Sequence, residues 1–230
     1  MRDSNLEILA YEHTELGPLC LRRRELLSSP GTVVTEITLD HEFLMSSRHT
    51  ASEEALARVA LEMHPASELN VLVGGLGLGY TAHAALQSPR VANASAVELL
   101  PQVVDWLERD LLPLSSALKE DERFAVTVAD AYALLRGVSA DCYDLILIDI
   151  DHAPGDRLGD ADGAFYTVEG LRRARRHLAP GAVLGVWSWA ESSDFSRALR
   201  EVFDTVRTEP ATYFNDHVGE ERTDWLFFGT

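Results

Sequence analysis

Three carboxylates, Glu98, Asp130 and Asp149, each close a short apolar run, and a fourth run beginning at Asn70 closes in the glycine turn Gly74-Gly75-Leu76-Gly77-Leu78-Gly79. Glycine has no Cβ, so a chain can turn sharply at a strand end and bring its main-chain N–H groups against a ligand. The helical pattern starting at Tyr80 adds unpaired N–H groups behind the turn. This is how a nucleotide-type cofactor gets close to a backbone. The spacing does not fit the dinucleotide pattern, because Gly75 and Gly77 would require a third glycine at Tyr80, and no lysine follows to make a P-loop. Glu98 lies some twenty residues past the turn, where an acid can accept hydrogen bonds from both ribose hydroxyls. Each acid taken singly also reads as a helix N-cap or turn residue, Asp130 among them.

The elements that must position these residues alternate. Strand-like runs at residues 92–97, 124–128, 143–148 and 182–187 are separated by helical patterns at 80–86, at Val103, Leu107 and Leu111, and at Val168, Leu171 and Leu178. Leu145-Ile146-Leu147-Ile148 is unbroken apolar, as a central parallel strand covered on both faces requires. A last β-like segment, 224–228, can pair with the region of 212–214. The pattern predicts an α/β fold: a Rossmann-like, doubly wound, mostly parallel sheet. Residues 7–11, 19–22 and 33–39 read instead as a small antiparallel β unit, joined to the sheet by a helix over 51–63 that leads to Pro65. The expected division is therefore 1–64, a β unit plus linking helix, and 65–230, the nucleoside-binding domain.

Composition narrows the function classes. The 230 residues carry a formal charge of −17, which argues against a nucleic-acid partner and tilts towards a cationic substrate. Arg172, Arg173, Arg175 and Arg176 form a local exception, read as a solvated helix face. No apolar stretch is long enough to span a membrane, and the start Met1-Arg2-Asp3-Ser4-Asn5 is no signal peptide, so a cytoplasmic protein is expected. Cys20 and Cys142 lack metal spacing and are read as reduced and structural. No histidine pair has metal spacing, so no metal is expected, and His13, His41, His64, His83, His177 and His217 are read as surface or half-buried. His152, three residues after Asp149, is the exception kept as a candidate. No nucleophile elbow occurs, which disfavours a hydrolase.

From Val71 to about Ser192 the chain resembles the spermidine synthase family, the polyamine aminopropyltransferases, whose sheet is that of class I S-adenosylmethionine-dependent methyltransferases. The matching pieces are the VLVGGLGLG turn, Val97-Glu98-Leu99-Leu100-Pro101, Asp121-Glu122-Arg123-Phe124 leading to Asp130-Ala131, the run Tyr143 to Asp149, and Leu178-Ala179-Pro180-Gly181-Ala182-Val183-Leu184. The resemblance implies that Gly74, Gly75, Gly77 and Gly79 cradle the nucleoside, Glu98 holds its ribose, and Leu99, Asp130 and Ala131 lie by adenine. It also implies that Asp149 receives or orients an attacking amine, and it suggests a homodimer. The departures are specific. The family's glycine-loop aspartate, which grips the amine of decarboxylated S-adenosylmethionine, is replaced by Gly77. The aspartate three residues after the catalytic acid is replaced by His152, and a tyrosine before the sheet by Glu53. Methyltransferases in turn carry an acid just before the loop, where this chain has Val73.

The leading expectation is a transferase that uses S-adenosylmethionine and moves an alkyl group, most simply methyl, to an amine or other small nucleophile. Asp149, Asp151 and His152 would act at the reacting centre, with Glu53 and Trp187 lining the pocket. The alternatives are aminopropyl transfer from decarboxylated S-adenosylmethionine and a non-catalytic nucleoside-binding module.

Overall fold

The computed structural model describes residues 6–138, 142–150, 164–215 and 219–230. Asp151, His152 and His217 lie outside the described residues. Two sheets organise the rest. The first is antiparallel, in the order β1-β2-β3-β4, from β1 (Leu6–Thr14), β2 (Gly17–Glu25), β3 (Val33–Leu39) and β4 (Glu42–Ser46). Strand β4 was not foreseen. It returns through a two-residue turn at Asp40 and His41, both at positive φ, a hairpin geometry that these residue types advertise weakly.

Helix α1 (Ala51–Met63) matches the expected linking helix and leads to β5 (Leu69–Gly74). Seven strands then form one sheet in the order β10-β11-β9-β8-β5-β6-β7, with β6 (Val91–Glu98), β7 (Phe124–Val128), β8 (Tyr143–Ile148), β9 (Leu178–Ser188), β10 (Val206–Asn215) and β11 (Glu220–Gly229). Strands β9, β8, β5, β6 and β7 run parallel, and β11 and β10 return antiparallel at the edge. Pro210 is tolerated because β10 is that edge strand. This is the doubly wound, Rossmann-like sheet that the alternation predicted. The order reverses at β5, so the crevice for a ligand lies beyond the C-terminal ends of β5 and its neighbours.

The helices α2 (Tyr80–Leu86), α3 (Pro101–Glu108), α4 (Ser115–Lys119), α5 (Ala131–Arg136), α6 (Val168–Ala174) and α7 (Ser193–Arg200) cover the sheet. Leu111 falls outside α3, which ends near Asp110 at positive φ. One buried cluster joins Leu19, Leu21 and Ile37 of the small sheet to Leu56, Val71, Val73 and Leu147. The other packs Tyr132, Phe165, Leu171 and Phe195 on the opposite face. The β unit is thereby fixed over the crevice, with Trp106 donating to Glu12 at 2.9 Å across the joint.

Two histidines differ from expectation. His64 and His177 are 6% and 1% exposed, because α1 ends in the core and a 3₁₀ turn at Arg175–His177 tucks the second ring against the Gly137 carbonyl. Cys20 is buried, whereas Cys142 is exposed. The arginine group is not purely solvated. Arg173 pairs with Glu169, and Arg175 stacks over Phe203 at 5.7 Å.

Candidate active site

The β5–β8 ladder sets the centre of the crevice. Its register pairs Gly74 with Ile148, and the Asp149 N–H donates to the Gly74 carbonyl at 2.8 Å, so the acid is locked beside the glycine turn. Gly75, at φ +94°, cannot be replaced without backbone movement, since a Cβ there would lie 2.1 Å from the Asp149 carbonyl oxygen. Gly77 and Gly79 also take positive φ, and Gly79 caps α2. Glu98, at the end of β6, is 8% exposed. It accepts from the Leu76 and Gly77 N–H groups at 2.9 and 3.4 Å and, through its other oxygen, from Leu100 N–H at 2.9 Å. Glu98 therefore fixes the loop, and its Oε1, which accepts from Leu100 N–H alone, retains a lone pair for a hydroxyl.

Beside it, Leu99 and Val128 are 54% and 48% exposed, an apolar shelf of the kind a planar ring covers. Asp130 is the N-cap of α5, accepting from Ala133 N–H at 3.0 Å, and its second oxygen lies 3.8 Å from Arg136. The bland reading of Asp130 is thus realised. The carboxylate still stands at the shelf edge, next to buried Ala131.

From the loop a cavity of about 260 Å³ runs under the β3–β4 hairpin, lined by Met45, Glu53, Gly77, Tyr80, Asp149 and Asp224 among others, with Trp187, Trp189 and Tyr213 on its aromatic wall. The sequence candidates Glu53, Asp149, Gly77 and Trp187 all meet here. Asp224, on β11, was missed. It occupies the same alternating face as core residues Leu226 and Phe228, and a carboxylate in register with a core face was the available signal. Ser52 was missed as well. It falls four residues before Leu56 on the buried stripe of α1 and donates to Asp224 at 2.7 Å. Met45 and His49, which stacks on Tyr213 at 4.7 Å, carried no sequence signal.

All three carboxyl groups in this cavity have raised pKa values, with burial the largest cause of each. Glu53 is raised to about 8, chiefly by burial, then by Asp149 and, more weakly, by Asp224. Asp149 is raised to about 6 by burial, against the hydrogen bond from Thr81 at 2.5 Å and with Asp224 adding to the rise. Burial also raises Asp224, opposed by Ser52 and by the Trp187 indole N–H. That N–H is buried close to Asp224 without completing a hydrogen bond of normal geometry. Glu36, on the same wall, is neutralised by a fork of Arg22 and Arg24 at 2.9 and 2.6 Å. An arrangement of this kind can hold an ammonium and accept a proton.

Where the resemblance places a loop acid, the space is filled. A Cβ on Gly77 would lie 2.7 Å from the Met45 sulfur. Where methyltransferases place their acid, Val73 is 1% exposed in the core of β5.

The model of the spermine/spermidine synthase domain matches residues 49–199. The chain is 31% identical over 183 residues to the polyamine aminopropyltransferase of Shouchella clausii, covering 75% of this chain and 65% of that one. It is 34% identical over 113 residues to that of Bacillus mycoides, covering 49% and 40% respectively. The chain thus spans less than two thirds of these relatives. Among solved structures, the spermidine synthase of Thermotoga maritima superposes with a TM-score of 0.73 at 19% identity over 96% of this chain and 71% of that one. A probable spermidine synthase from Corynebacterium glutamicum does so at 0.64 and 18%, over 97% and 79%.

Proposed function

Because the chain belongs to the spermine/spermidine synthase domain family, we propose that it transfers an aminopropyl group from decarboxylated S-adenosylmethionine to a small cationic amine. The observation that carries this reading is the convergence of Glu53, Asp149 and Asp224 on one cavity beside the glycine turn. Such a cavity attracts ammonium groups and repels the carboxylate of an intact methionine tail. The relatives named as polyamine aminopropyltransferases support the same choice. It replaces methyl transfer, the leading expectation from the sequence, which is further weakened by the core position of Val73.

The residues fit the nucleoside. Glu98 would take the ribose hydroxyls, the Leu99 shelf with Ala131 would take the base, and Asp130 would meet its amine. The bound sulfonium supplies an electrophilic carbon whose bond to sulfur breaks with the electron pair leaving on sulfur. Asp149 takes a proton from the acceptor ammonium, which frees the nitrogen lone pair to form the new C–N bond. Trp187 and Tyr213 exclude water and confine the acceptor, and Glu53 with Asp224 hold its second charge. Asp151 and His152, outside the described residues, remain candidates from the sequence.

The test is turnover with the decarboxylated donor and a panel of linear diamines, read by chromatography. Methylthioadenosine together with an amine lengthened by one aminopropyl unit is the expected result. A methylated amine formed from the intact donor, with no reaction of the decarboxylated one, would overturn the reading.

A further inference from the structure

The Ser52 hydroxyl lies 2.7 Å from Asp224 Oδ2 and 2.8 Å from Glu53 Oε2. A hydroxyl has one proton to donate. Were both carboxyls ionised, one of them would face the hydroxyl lone pairs at contact distance in a largely buried site, a repulsive arrangement. A proton on one carboxyl removes the conflict, because that carboxyl then donates to Oγ while Oγ donates to the other.

The surroundings decide which one carries it. Asp224 faces both Ser52 and the Trp187 indole N–H, and each favours its charged form. Glu53 faces the like charge of Asp149 and has the Ser52 hydroxyl as its side-chain hydrogen-bond partner, the Thr81 hydroxyl being engaged by Asp149. Among the described residues, the other ionisable neighbours include Tyr80 of α2 and Tyr213 of β10, both held neutral by burial, Glu36 of β3, paired with Arg22 and Arg24, and Glu54, exposed on α1 and bound to Thr50. Arg48 and His49 line the cavity, and Arg222 acts on Tyr213.

We propose that Ser52 is a positioning residue that joins Glu53 and Asp224 into a unit sharing one proton, with Glu53 donating to the Ser52 hydroxyl and the hydroxyl donating to Asp224. The cavity then holds two negative charges, on Asp149 and Asp224, and Asp149 is left to take the proton of the acceptor nitrogen. A second ammonium arriving against Glu53 sends the shared proton to solvent and leaves a carboxylate to hold the cation. That part rests on the aminopropyl-transfer reading, whereas the shared proton is a property of the protein alone.

The experiment is infrared difference spectroscopy of the ligand-free chain, titrated from about pH 7 to about pH 9.5, where solvated carboxyls are already ionised and Asp149 nearly so. The wild type should lose one protonated-carboxyl band with a midpoint near 8. Glu53→Gln should abolish that band. Ser52→Ala, which removes the acceptor of the Glu53 proton, should lower its midpoint by about one unit or more. Absence of the band in the wild type, or a band unmoved by both substitutions, would overturn the proposal. Because no donor or amine is present, a failure of transferase activity would refute the proposed function and leave this result standing.

Discussion

Asp149 and Glu53 differ in what their shifted acidities do. Asp149, raised to about 6, must be ionised to accept a proton, so kcat/KM for the amine should rise with a midpoint near pH 6. Asp149→Asn should lower kcat by roughly 10²–10⁴-fold with donor binding retained, as expected for loss of a general base. Full turnover in that variant would remove Asp149 from the chemistry. Glu53 has a consequence for stability. Its pKa in the folded chain, about 8, lies above the unfolded value, so between about pH 4.5 and 8 the folded state binds the extra proton. Its contribution is therefore present below the unfolded pKa and lost as pH rises through 8. Thermal unfolding should show the wild type falling relative to Glu53→Gln between about pH 5 and 9, by an amount on the order of a few kcal/mol. Parallel curves would show that Glu53 ionises normally. At this scale the sequence was partly legible. Glu98, Asp149 and Glu53 were readable because they close strands or stand at motif positions. Asp224 and Ser52 were not, because what brings them together at the cavity is a contact across 172 residues of chain.

The glycine turn and the β3–β4 hairpin act as a pair. Met45 of β4 takes the room that a side chain at position 77 would need, and Gly77 at φ +52° is in a region that aspartate tolerates better than most residues. Gly77→Asp alone should therefore disturb the hairpin. Gly77→Asp combined with Met45→Ala should bind the decarboxylated donor about tenfold more tightly, from one added charge-assisted contact. Weaker binding by the double variant would show that the donor amine does not approach this loop. Gly75→Ala is a different case, because the obstacle is the Asp149 carbonyl and not a flexible side-chain end. It should cost about 2 kcal/mol or more and abolish donor binding, measurable by denaturant titration and calorimetry. The parallel strands were legible from their apolar runs and the glycine punctuation. The hairpin that roofs the site was not, since Asp40-His41 is a weak turn signal and Met45 carries no pattern.

Over the whole molecule, the charge of −17 was visible at once, and its use depends on where it concentrates. Helix α1 and the sheet bring three carboxyls to one cavity while Glu36 is neutralised by two arginines, which concentrates negative charge at the site. Raising ionic strength from about 0.02 M to about 0.3 M should increase KM for a diamine several-fold, with a smaller effect on kcat. An unchanged KM would mean that the acidic surface plays no part in capture. The doubly wound architecture followed from alternation in the sequence, but the choice between donors did not. That choice rests on the closeness of Glu53, Asp149 and Asp224, which only the folded chain creates.

The most direct measurement is calorimetric titration of the protein with decarboxylated and intact S-adenosylmethionine at the same pH and salt. Tighter binding of the decarboxylated form is the predicted result, since the cavity would repel the additional carboxylate of the intact one. Tighter binding of the intact form would contradict the account and return methyl transfer to the front.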